Sequence, residues 1–269
     1  MRFQKKKIRK NKVRRRIFCL LTVFLLTFLT SGVMLVGAMG KKEVKGYVKV
    51  QSRLNLREDP VLDAPIIGKL MPGEIVTIIS TENEKWTQVE TDTGVTGYVC
   101  NDYLVIPWVD VEEYELVSVS VITAENSSEN RNFNMARASN YINGLILHPG
   151  DEFAWYTTDT TEGIVGPASK ENGYKIATVI SGGKYVEGYG GGVCQVSTTL
   201  YNCINKLEIE PTEHHHHSLK SSYVQEGMDA TVSYPNKNFV FTNTKDYTIM
   251  FEAYTDGGQV VVAAYKVLY

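Results

Sequence analysis

The run Gly190-Gly191-Gly192-Val193-Cys194-Gln195 sets a thiol directly after a glycine run. Val196, Leu200, Cys203 and Leu207 then recur at i, i+4, i+7 and i+11. That spacing predicts a helix of about a dozen residues entered through the glycines. A cysteine at its start meets unpaired N–H groups and the positive end of the helix dipole. Both favour thiolate, the nucleophilic form. Backbone amides near Val193, Cys194 and Gln195 could donate to an oxyanion forming at an attacked carbonyl, and Gly190, Gly191 and Gly192 let a substrate approach without side-chain collision. The thiol also needs a base. His214, His215, His216 and His217 lie 20–23 residues beyond Cys194, one helix and a connection away, so a strand carrying them could return beside the helix start. Alternation along a strand turns His215 and His217 one way and His214 and His216 the other, so only one pair can face Cys194. Asp229, opening a strand that continues through Ala230-Thr231-Val232, could accept from the imidazole and complete a nucleophile, base and orienter set.

Other chemistries fit less well. No Gly-Lys-Ser/Thr follows the glycines, which removes the main signature of a phosphate-binding loop. Four adjacent histidines cannot all converge on one ion, and no Cys-x-x-Cys or His-Glu-x-x-His accompanies them, so neither a metal nor another cofactor is expected. Cys203 falls on the apolar stripe and reads as core, Cys100 reads as structural, and His148 beside Pro149-Gly150 reads as an exposed loop residue.

These residues must be positioned by the elements around them. Met135, Ala138 and Ile142 are at helical spacing and Gly144 stands where a left-handed cap would end that helix. Strands are expected after the Cys194 helix at Ala230–Val232 and Phe239–Phe241, and as a hairpin, Tyr247–Tyr254 with Gln259–Tyr265, turning at Asp256-Gly257-Gly258. A helix followed by an antiparallel sheet gives an α+β domain. Upstream, residues 45–105 alternate in short runs broken by Pro72-Gly73, Glu82-Asn83 and Thr93-Gly94, the mark of a small all-β unit. Residues 106–130 are expected to form a linker containing the strand-like run Leu116–Val121.

The 269 residues carry a formal net charge of −2 that conceals an asymmetry. Residues 1–16 hold ten Lys or Arg and no acid, leaving 18 bases against 30 acids and a net charge of −12 in the remainder. That acidic body argues against nucleic-acid binding. Residues 17–39 are uncharged, longer than the apolar core of a signal peptide, and are expected to form an uncleaved transmembrane anchor. The basic segment would remain cytoplasmic, giving a single-pass protein whose folded domains lie outside the cell membrane.

The barrel segment, with Leu54-Asn55-Leu56-Arg57, Ile67-Gly68, Pro72-Gly73, Trp86 and Gly97-Tyr98-Val99 in order, resembles the bacterial SH3-like domain. This resemblance implies a wall-targeting role. A second resemblance runs from about residue 116. Asn132 and Asn134, Ile142-Asn143-Gly144, Pro149-Gly150-Asp151-Glu152-Phe153, Gly173-Tyr174, Gly190 through Asn202, His217-Ser218 and Gly227 through Val232 together resemble the VanW domain, placed here at 116–269. Some VanW-domain proteins act as peptidoglycan L,D-transpeptidases. The resemblance therefore implies that this chain forms 3-3 cross-links between peptidoglycan stem peptides through a Cys194 thioester, with release of terminal D-alanine. It maps the family's two histidines onto His215 and His217, of which His217 is the favoured base, and leaves His214 where the family has arginine. A cysteine-dependent carboxypeptidase or endopeptidase and a non-catalytic wall-binding protein are the alternatives.

Overall fold

The computed structural model describes residues 42–157 and 163–268. Strands β1 (Lys45–Val48), β2 (Leu54–Arg57), β3 (Ile66–Leu70), β4 (Ile75–Ser80), β5 (Trp86–Glu90) and β6 (Thr96–Cys100) are followed by a 3-10 turn and β7 (Leu104–Val105). They form one antiparallel sheet in the order β3-β2-β6-β5-β4-β1-β7. Val48, Leu54, Leu56, Leu70, Val76, Val89 and Val99 fill its interior, the inward half of each alternating run.

The remaining elements are β8 (Tyr114–Thr123), α1 (Glu129–Ile142), β9 (Ile146–Leu147), β10 (Glu152–Ala154), β11 (Ile176–Ser181), β12 (Lys184–Tyr189), α2 (Val193–Asn205), β13 (Pro211–Glu213), β14 (Val240–Thr242), β15 (Ile249–Asp256) and β16 (Gln259–Val267). Much of the segment expected to be a linker is thus β8, an edge strand of the central sheet β8-β16-β15-β9. Central β16 is buried on both faces. Val260, Val262 and Ala264 join the core beneath the helices, while Val261, Ala263 and Tyr265 join a second apolar layer containing Tyr47 of the barrel. The β15–β16 turn uses Gly257 and Gly258, both with positive φ, the geometry that matches the twist of a two-residue hairpin.

Helix α1 starts at Ser128, whose side chain accepts from Arg131 N–H, and ends before Gly144 at φ +80°. Helix α2 buries Val196, Leu200 and Cys203 as its spacing predicts, and Leu207, two residues past its end, is buried as well. A small sheet β10-β14-β13 brings Phe153 onto Phe241, stacked at 4.9 Å, and supports the chain just before the histidines.

The expected transmembrane element requires correction. Among the described residues no helix is long and apolar enough to cross a membrane. The longer of the two helices, α1, has 14 residues, about 21 Å at 1.5 Å per residue, against a hydrocarbon core of about 30 Å. The fold class supported is the barrel with the α+β domain, and single-pass anchoring with its outside placement is not supported. Residues 17–39, on which that expectation rested, lie outside the described residues.

Candidate active site

The glycine run turns the chain from β12 into α2 in very little space. Gly190 has φ +81° and Gly192, the N-cap of α2, has φ +106°. A Cβ on Gly191 would stand 2.5 Å from the Thr178 carbonyl oxygen, and one on Gly192 would stand 2.8 Å from Arg131 Cγ. Their role is therefore close packing as well as conformational freedom. Buried Asn134 of α1 fastens the turn: its Nδ2 donates to Gly191 O (3.0 Å) and Lys175 O (2.9 Å), and its Oδ1 accepts from Lys175 N (2.8 Å).

Cys194 emerges in the first turn of α2. Its Sγ lies 3.5 Å from Thr231 Oγ1 and 3.4 Å from Val232 O. The amides around it are not equivalent. Val193 N–H donates to Gly190 O and Gln195 N–H to Gly192 O, so two of the three expected oxyanion donors are already engaged. The Cys194 amide has no such turn bond among the described residues. The Gln195 side chain is buried and structural, its Nε2 donating to Ile122 O and Gly258 O at 3.0 Å each.

The histidines do not continue a strand. β13 ends at Glu213, and three of the four rings then turn to Asp229 while the fourth turns back to Glu213. His217 donates to Asp229 twice, from its backbone N–H to Oδ2 (2.7 Å) and from Nδ1 to Oδ2 (2.6 Å). His216 Nδ1 reaches Oδ1 of the same carboxylate at 3.0 Å. His214 stacks on Tyr201 at 4.3 Å and sends Nε2 to Asp229 O. His215 pairs instead with Glu213 Oε1 at 2.9 Å. The structure thus brings Cys194, His217 and Asp229 together and leaves His215 outside that set. Among the described residues no three His, Cys, Asp or Glu side chains are grouped to hold a metal ion.

The charges of the three groups support one another. Burial alone pushes the Cys194 thiol up, but a hydrogen bond from His217, the charge of that ring and contacts from Thr231 and Val232 outweigh it and hold the thiol below its ordinary value. Burial alone would depress His217, yet Cys194 and Asp229 together raise it. Asp229 is held below the usual carboxylate range, because the His217 amide and the two imidazoles outweigh its burial. With His217 Nδ1 committed to Asp229, Nε2 is the nitrogen left for the thiol. The arrangement sets a thiol, an imidazole and a carboxylate in one chain of contacts, each shifted toward its charged form, a set that acyl transfer can use.

Several positioning residues escape a motif reading. Ser197 Oγ donates to Ala230 O (2.7 Å), Thr198 Oγ1 accepts from Ala230 N (3.0 Å), and Asn202 Nδ2 donates to Met228 O (2.7 Å). They tie the helix bearing Cys194 to the segment bearing Asp229. The signal was present as a polar run, Gln195 with Ser197, Thr198 and Thr199, inside an amphipathic helix; all four are fully buried. Tyr223, on a loop over α2, has no motif around it in the sequence. Burial and the Cys194 charge push its hydroxyl up to about 12.

Cys194 opens into a cleft of about 630 Å³, lined by Thr178, Ile180 and Tyr185 of the β11–β12 hairpin and by Tyr223, Val232 and Tyr234. That volume suits a peptide-sized ligand.

A family model described as VanW like protein matches residues 130–265, just over half the chain, and a bacterial SH3 domain model matches residues 52–105. The chain is 31% identical over 206 residues to "Uncharacterized protein YoaR" of Bacillus subtilis, covering 74% of this chain and 66% of that protein. It is 30% identical over 110 residues to "Vancomycin B-type resistance protein VanW" of Enterococcus faecalis, covering 39% of this chain and 38% of that protein. The chain therefore spans less than two thirds of either relative.

Proposed function

From the premise that this chain belongs to the VanW-like family, we propose that it is a cysteine-dependent acyltransferase acting on peptidoglycan, an L,D-transpeptidase forming 3-3 cross-links. The observation that carries this reading is the Cys194–His217–Asp229 constellation, of which Cys194 and His217 line the cleft. The Cys194 thiolate attacks the carbonyl carbon preceding a terminal D-alanine, and the carbonyl π pair moves onto oxygen, facing the Cys194 amide at the helix start. As the C–N bond breaks, protonated His217 gives its Nε2 proton to the departing amine, leaving a thioester and free D-alanine. A neutral side-chain amine of a second stem peptide then attacks the thioester. Neutral His217 takes its proton, the C–S bond breaks, and thiolate and imidazolium are restored. Asp229 keeps the ring oriented throughout. The chemistry requires no cofactor, and its partners are two stem peptides. The bacterial SH3 domain is read as a wall-binding module.

The test is intact-protein mass spectrometry of the full chain mixed with disaccharide tetrapeptides ending in D-alanine, alongside Cys194→Ala. The expected result is an adduct of substrate minus D-alanine, with dimeric muropeptides appearing only in wild type. Adduct with only shortened monomers would reassign the protein as a carboxypeptidase. Neither adduct nor turnover would leave a wall-binding protein.

A further inference from the structure

Arg131 stands in the cleft wall beside the nucleophile, and the mechanism above makes no use of it. Its position is fixed from two sides. Its stem lies over Gly192, where any Cβ would come within 2.8 Å of Arg131 Cγ. Its guanidinium donates from one terminal nitrogen to Gln195 Oε1 at 2.9 Å, and Gln195 is itself pinned by two bonds to Ile122 O and Gly258 O. The side chain thus brackets Cys194, touching residue 192 with its stem and residue 195 with its head. Those positions are about 4.5 Å apart along a helix axis.

The charge is fixed but not neutralised. Among the described residues the ion pairs involve lysines and histidines with acids, and none includes Arg131. A guanidinium carries five N–H donors in a planar fork, and the Gln195 bond uses one. Of the described residues lining the cleft, Glu125, His217 and, as its thiolate, Cys194 are the other charged side chains; Cys194 and His217 pair with each other, His217 also has Asp229, and Glu125 is exposed. The guanidinium also acts on the Tyr223 hydroxyl in the sense opposite to the Cys194 thiolate, which places both charges around the same part of the cleft.

We propose that Arg131 is the subsite for the C-terminal carboxylate of the donor peptide, so that the site selects peptides ending one residue beyond the attacked carbonyl. This rests on the reading of Cys194 as the acyl-transfer nucleophile. A planar, permanently charged fork matches a carboxylate with two parallel hydrogen bonds. One residue of extended chain spans about 3.5 Å, so a carboxylate held by Arg131 leaves the preceding carbonyl within reach of Cys194 Sγ. The residue between the two is the leaving group.

The test uses the full chain, a disaccharide tetrapeptide ending in free D-alanine, and the same compound as its C-terminal carboxamide. In the Cys194→Ala background, calorimetry should show the free acid binding about 10- to 100-fold more tightly than the amide. Arg131→Gln should bring that ratio close to one, and Arg131→Lys should leave an intermediate ratio. In the Cys194 protein the same preference should appear mainly in KM for D-alanine release. Equal affinity for acid and amide, or a preference that survives Arg131→Gln, would overturn the proposal and leave Arg131 as a support for Gln195. A carboxylate preference in binding with no acyl-enzyme from either compound would overturn the transferase reading alone.

Discussion

Cys194 and His217 shift each other in opposite senses, the thiol downward and the imidazole upward, so each favours the charged form of the other. Alkylation of Cys194 by iodoacetamide, followed by peptide mass spectrometry, should therefore inflect below the ordinary range of a thiol. In His217→Gln the burial remains while the compensating charge is gone, so the inflection should move above that range; an unchanged inflection would disprove the coupling. The same pair contributes to folding. Cys194 and Asp229 are both depressed, so their contribution is present above their unfolded values and is lost as pH falls through the folded ones. His217 is raised, so its contribution is complete below its unfolded value and is lost as pH rises through the folded one. Asp229→Asn keeps the size of the side chain but removes the charge that holds the His217 ring. Transfer should fall by about 10²-fold or more, measured as thioester formation in single turnover. A rate within twofold of wild type would remove Asp229 from the mechanism.

Helix α2 and the strand-like segment after Gly227 behave as one element, because Ser197 and Thr198 bond to Ala230 and Asn202 bonds to Met228, the residues on either side of Asp229. Thr198→Val keeps the shape and orphans the buried Ala230 amide, at a cost of about 1–3 kcal/mol. Thermal melting should shift down by about 2–4 °C for each kcal/mol lost, and the Cys194 alkylation inflection should rise as Asp229 loosens. An unaltered melt would mean that the clamp carries no energy. This clamp also explains what could be read in advance. The helix, its buried stripe and Cys194 follow from a local 3.6-residue period, and the hairpin at Gly257-Gly258 from turn chemistry. The histidine segment departs from expectation because strand alternation was assumed where none holds. β13 stops at Glu213, and beyond it neighbouring His216 and His217 both turn to Asp229 while His215 turns back to Glu213. The engaged amides of Val193 and Gln195 follow from the tight turn at Gly190–Gly192, which glycine content announces but does not resolve.

At the scale of the whole described body, the barrel is seated against the central sheet rather than tethered to it. Tyr47 of β1 enters the apolar layer with Leu116, Val119, Val121, Val261, Ala263 and Tyr265. Its hydroxyl meets Tyr254 Oη at 2.8 Å, Lys49 meets Asp256 at 2.6 Å, and Lys45 meets Glu115 at 2.9 Å. A Cβ on Gly73 would stand 2.8 Å from Val119 O, so the barrel's β3–β4 turn lies directly on β8. None of this was legible in the sequence. The hydrogen-bonded partners are 70 to 207 residues apart, and such contacts leave no periodic trace in either segment. The consequence is cooperative unfolding. Trp86 reports on the barrel and Trp155 on the core beneath the helices, so denaturation followed through each tryptophan, with the others replaced by Phe, should give coincident midpoints. Tyr47→Ala removes a buried aromatic ring and the partner of the Tyr254 hydroxyl, a loss of about 3–5 kcal/mol for a ring of this size. If the two domains share one transition, both midpoints should fall together. A Trp86 midpoint that drops while the Trp155 midpoint stays would instead mean that the barrel folds as an independent module, and that the layer around Tyr47 does not couple it to the sheet carrying the site.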